Sequence, residues 1–194
     1  MKLILTAITF LGLLIVACKN NDHSTHTNDA VVITKTEAGK TDTAKKSIKA
    51  YVQNKIGAAI FRIQYHSPTV RDRVIWGGLV PFDDVWVTGA HNATSIESET
   101  DFIINGKKIP VGKYAFFTIP GKDEWTVIIN KNWDQHLADE YDTKEDVMRL
   151  QVTPQTLPNV QERLKYTIAQ NGDSKATIEI SWEKVKVALP VDIN

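Results

Sequence analysis

Between Tyr65 and Asn92 the chain gathers His66, Arg71, Arg73, Asp83, Asp84, His91 and Asn92 around two tryptophans, Trp76 and Trp86. These residue types support two chemistries. Imidazole is the side chain that titrates near neutrality, at about pH 6.5. His66 and His91 are therefore candidates for a base and acid pair, or for two metal ligands completed by Asp83 or Asp84. A hydrolytic zinc site uses three protein ligands, and the spacings here match no standard pattern, so histidines satisfied within the fold are the plainer reading. The second chemistry is recognition. An aromatic face beside hydrogen-bonding side chains suits a sugar or a peptide, since the ring offers apolar area and the polar groups fix orientation. His66, Arg71, Arg73, Trp76, Trp86, His91 and Asn92 are the candidate binding residues on that reading, and Gly77-Gly78 allows close backbone approach. Against it stands the account in which both rings fill a core and the glycines only turn the chain.

Elsewhere the chemistry is thinner. His136 and Glu140 would share one face of a helix, which reads as an ordinary surface pair rather than a metal site. His23 and His26 lie in a polar stretch and read as solvated. Serines and threonines are scattered, and nothing marks an activated nucleophile. No phosphate loop, dinucleotide fingerprint, nucleophile elbow or zinc-protease helix is present, so no cofactor is expected. Lysine plus arginine and aspartate plus glutamate balance at 23 each, which leaves no basic field for nucleic acid.

The elements that must hold these residues read as strands. Ala59 to Tyr65 alternates in apolar character, and Pro68 ends the run. Phe102 to Ile104 and Lys107 to Ile109 flank Asn105-Gly106, a pair that tolerates the positive φ of a tight hairpin turn. Lys113 to Ile119 and Glu124 to Asn130 flank Pro120-Gly121 as a second hairpin. Met148 to Val152, Leu164 to Ala169, Ala176 to Trp182 and Val185 to Leu189 follow, with a third turn at Asn171-Gly172-Asp173. Short strands at this spacing indicate an all-β fold, an antiparallel β-sandwich or jelly-roll-like barrel, with one short helix around Trp133 to Tyr141. Residues 49–194 form one domain, long enough to bury a core without staples.

Residues 1–17 read as a secretory leader: Lys2, an apolar run, and small Ala17 before Cys18. The run is shorter than the roughly 20 apolar residues of a spanning helix. Ile15-Val16-Ala17-Cys18 resembles the lipobox of bacterial lipoproteins, in which the cysteine is acylated and becomes the new N-terminus. Cys18 is the only cysteine, so it is the expected lipid attachment point and no intrachain disulfide can form. Lys19 after it leans towards the outer membrane. Residues 18–48, rich in Asn, Asp, Thr, Ser and Lys, read as a flexible spacer.

A resemblance covers the folded part. Tyr65-His66-Ser67-Pro68, Arg73 to Phe82 with its Trp76-Gly77-Gly78, Val85-Trp86, Thr88-Gly89-Ala90 and Ala93-Thr94 resemble domain-of-unknown-function family 2911. So do Asn105-Gly106-Lys107, Gly112-Lys113-Tyr114, Phe117 to Pro120, Trp125, Asp146-Val147 and Trp182-Glu183. The resemblance implies an exported protein of Bacteroidetes-type bacteria and carries over no catalytic residue. Val87 stands where the family usually has Arg, and His91-Asn92 where it usually has Asn-Glu. The expectation is a membrane-anchored envelope lipoprotein, a non-enzymatic binding or structural module. Its partners are membrane lipid through Cys18 and a glycan, peptide or envelope protein. The alternative is a hydrolase acting on an envelope glycan or peptide with a His/Asp site.

Overall fold

The computed structural model describes residues 31–33 and 46–193. Cys18, the leader, His23, His26 and most of the segment read as spacer lie outside the described residues. Among the described residues eleven strands form two sheets, and every strand pairing is antiparallel. The larger sheet runs β1 (Val31–Ile33), β2 (Ile48–Ile56), β3 (Ala59–Ser67), β4 (Ser95–Ser98), β7 (Gly112–Ile119), β8 (Trp125–Asn130) and β9 (Asp146–Val152). The smaller runs β10 (Gln155–Gly172), β11 (Lys175–Ile193), β5 (Phe102–Ile104) and β6 (Lys107–Ile109). The chain is all-β, as the alternation implied.

The sheets meet through aromatic contacts between them. Phe61 of β3 meets Phe102 of β5 edge-on at 5.1 Å between ring centroids, Tyr65 of β3 meets Tyr166 of β10 at 4.6 Å, and Phe116 of β7 meets Tyr166 at 6.1 Å. Such pairs contribute beyond the apolar area they bury. β7 buries Tyr114, Ala115, Phe116 and Phe117 in succession, because both its faces are covered. Tyr114 and Phe116 point into the core between the sheets, while Ala115 and Phe117 join Val87, Ala93 and Ile128 in a second cluster on the outer face.

Tyr166 also ties the core to the candidate region. Its hydroxyl donates to the Thr88 carbonyl at 2.8 Å, and burial pushes its pKa well above the usual phenol value, so it stays a donor. Tyr166→Phe removes this one buried hydrogen bond and is expected to cost about 1–2 kcal/mol. The check is urea unfolding, with a lower midpoint at unchanged slope.

Three expectations need correction. Residues 133–141 form turns and an isolated bridge rather than a helix, and the helical element among the described residues is a single 3-10 turn at Thr143–Glu145. Leu137 takes φ 48° and its N–H donates to the His91 carbonyl, while Ala93 N–H donates to Gln135. These ties to a distant segment replace the local bonds a helix needs. His136 accordingly pairs with Asp139 at 3.2 Å, not with Glu140. Val31–Ile33, inside the expected spacer, pairs with residues 51–53 of β2; three β-branched residues in a row favour that extended edge. The last hairpin turns at Asp173-Ser174, just past Asn171-Gly172.

Candidate functional site

Residues 68–94 join β3 to β4 without a strand of their own. A connection this long inside a compact domain is uncommon and calls for a functional account. It is pinned at several points: Thr69 bridges Arg163 of β10, Trp86 bridges Thr118 of β7, and Asn92 bridges His136. Gly77 and Gly78 let it fold back on itself. Gly77 takes φ 75°, and a Cβ there would meet the Phe82 ring at 2.8 Å; one on Gly78 would meet the Val74 carbonyl oxygen at 2.5 Å. Their role is to turn the chain, as the plainer reading held.

The connection also holds five non-glycine residues at positive φ: Arg71 (49°), Asp72 (55°), Asp83 (63°), Thr88 (51°) and His91 (61°). Left-handed backbone is uncommon for such residues and persists where surrounding contacts enforce it. Thr88 shows the enforcement. Its Oγ1 shares a 3.0 Å hydrogen bond with Thr118 Oγ1, and its carbonyl accepts from both Tyr166 and Thr94.

Held this way, the connection walls a pocket of about 290 Å³. Arg71, Arg73, Leu79, Trp86 and His91 come from the connection; Ser47, Trp182 and Leu137 come from the N-terminal edge, β11 and the 133–141 turns. Trp86 and Trp182 lie nearly parallel, 19° apart with centroids at 5.8 Å. Trp76 packs edge-on behind them, at 5.7 Å from Trp86, 5.8 Å from Trp182 and 4.8 Å from Trp125. The Trp86 indole donates to the Gly89 carbonyl at 3.1 Å, whereas the buried indole N–H groups of Trp76 and Trp182 have no partner among the described residues. A buried donor without an acceptor is rare in folded proteins.

His66 and His91 converge. Their rings meet edge-on with centroids 5.1 Å apart, and Ser47 Oγ shares a 2.9 Å hydrogen bond with His91 Nε2. His91 lines the pocket, and His66 on β3 packs against it. Burial first, then the charges of His91 and of Lys49 on β2, push the His66 pKa below its ordinary value. The unfolded chain takes up this proton near pH 6.5, while the folded protein resists it. Stability from this group is therefore complete above that pH and falls as pH drops towards the depressed folded value. His66→Gln is expected to flatten that acid limb, as read from melting temperatures at about pH 5 and about pH 7.5. An unchanged difference between the two would contradict the assignment.

Asp83 and Asp84 do not complete the histidine pair as metal ligands: among the described residues, no three His, Cys, Asp or Glu side chains gather. Asp83 is instead tied by its N–H to the Pro120 carbonyl. Of the seven candidate residues, Arg71, Arg73, Trp86 and His91 line the pocket, His66 and Trp76 stand behind it, and Asn92 is exposed and turned towards His136. The sequence reading missed Ser47, Leu137 and Trp182 as lining residues. Only Trp182 carried a signal, as an aromatic residue in a strand beside the family-like Glu183.

A family model described as "Protein of unknown function (DUF2911)" matches residues 47–191. The match begins at the serine bonded to His91 and runs well into β11. Neither the comparison with curated proteins nor that with solved structures finds a match. With the match spanning well over half of its length, this chain belongs to the DUF2911 family.

Proposed function

We propose that this protein is a lipid-anchored bacterial envelope protein, held at the membrane through acyl chains on one cysteine, whose β domain is a non-enzymatic binding module. The observation that carries the binding reading is the pocket itself. It sets the Trp86 ring, backed by buried Trp182, beside Arg71, Arg73 and His91, an apolar wall with a few convergent polar groups. Leu79 and Leu137, both exposed, extend the apolar wall at its edge. Glycans and peptides of the envelope are the ligand classes this mix suits. The lipid anchor rests on Cys18 and the leader before it.

The test is a glycan and peptide array probed with the lipid-free domain, alongside Trp86→Ala. Enrichment over a control domain that disappears in the variant supports the reading. No enrichment counts against it.

A hydrolase is the second reading, favoured by the edge-on histidine pair and the Ser47–His91 hydrogen bond. A base within hydrogen-bond reach of a hydroxyl is the geometry that general-base catalysis requires. No hydrogen bond to a carboxylate orients either histidine among the described contacts, which leaves that reading behind binding. Turnover of an ester or glycoside substrate that is lost in His91→Gln would reverse the order.

A further inference from the structure

We infer that the pocket recognises a carboxylate carried on a ring, an inference that rests on the binding reading above and names its ligand class. The polar groups facing the pocket are weighted towards donors. Arg73 is the anchor. Its Nε donates to the Val70 carbonyl at 3.1 Å and its Nη2 to the Thr69 carbonyl. Both partners are neutral, so the guanidinium is fixed in place while its charge is not cancelled: among the described residues Arg73 forms no ion pair. A guanidinium has five N–H donors, and only two are used here. A carboxylate is the acceptor whose two oxygens match the remaining edge of such a fork.

The surroundings agree in sign. Arg71 lines the same pocket, and none of its described lining residues is acidic. Arg163 of β10 donates to the Ser67 and Lys46 carbonyls. Among the described residues, the Glu162 carboxylate accepts from the Arg71 backbone N–H at 3.0 Å. A chain with balanced charge thus places two arginines and no acidic residue in the described lining of one cavity. An acceptor-rich ligand satisfies these groups; a donor-rich or cationic one does not.

Size and shape add the ring. A volume of about 290 Å³ sits at the small end of ligand sites, which run from about 300 to 1,000 Å³. It holds one ring with its substituents rather than an extended chain. The half-buried Trp86 ring, backed by the near-parallel Trp182, supplies the apolar wall. Sugar acids and aromatic acids share this chemistry, and the experiment separates them.

The protein, purified from membranes in mild detergent, is titrated with two matched pairs while tryptophan fluorescence is followed: glucuronate against glucose, and phenylacetate against 2-phenylethanol. The acid of at least one pair is expected to bind about tenfold or more tightly than its neutral partner, with the advantage shrinking as salt is raised. Whichever pair responds identifies the source. Arg73→Gln is expected to erase the acid's advantage, and Arg73→Lys to keep part of it. Because Arg73 also braces the connection, both variants are melted first. If Arg73→Gln does not fold, the salt dependence and the acid-to-neutral ratio of the parent protein decide. Equal binding of acid and neutral partners overturns this inference and leaves the binding reading standing. Binding of neither member of either pair overturns the inference alone if the array above shows enrichment, and both readings if it does not.

Discussion

Trp182→Ala is expected to destabilise the domain by about 3–5 kcal/mol, the range for removing a large aromatic side chain from a core. Trp182 is 1% exposed, contacts the rings of both Trp76 and Trp86, and packs in the core between the sheets. Alanine would leave a void bordered by two further indoles. A loss of that size is a large share of the roughly 5–15 kcal/mol that holds a typical domain together. Equilibrium unfolding in urea measures it directly. Trp182→Phe retains most of the ring area and lacks the unpartnered indole N–H, so it is expected to fall far short of the alanine cost. A Trp182→Ala variant as stable as the parent would show that the four tryptophans do not form the continuous packing described here.

Cys18→Ala is expected to abolish palmitate labelling and to move the chain from the membrane fraction to the soluble fraction. A single myristoyl-length chain binds a bilayer only reversibly, at about 0.8 kcal/mol per buried methylene, whereas several chains on one residue hold durably. Among the described residues no helix is long and apolar enough to cross a membrane. Without the thiol, that leaves the leader as the apolar segment able to retain the chain. Labelled precursor persisting in the variant would contradict the anchor. Unlabelled variant still sedimenting with membranes would mean that the leader itself holds it.

The strands were readable because their alternation and turn chemistry are local. Asn105 and Gly106 take φ 49° and 75°, as the pair implied, and β5 and β6 pair around them. The same locality misled at residues 133–141, whose composition suits a helix. Bonds from Ala93 and to His91 decide that segment's backbone, and they come from a part of the chain no local window contains. The pocket divides along the same line. Arg71, Arg73, Trp86 and His91 were legible because they crowd one connection. Ser47 and Trp182 were not, because only the folding of two sheets brings both against it.

The edge strand β1 has a mechanical consequence. Its three residues pair with β2 ahead of Ser47, the residue that bonds His91 at the pocket wall. A pull applied upstream of Val31 must peel that short pairing before its load arrives at Ser47, so the sheet's margin yields before the cavity wall does.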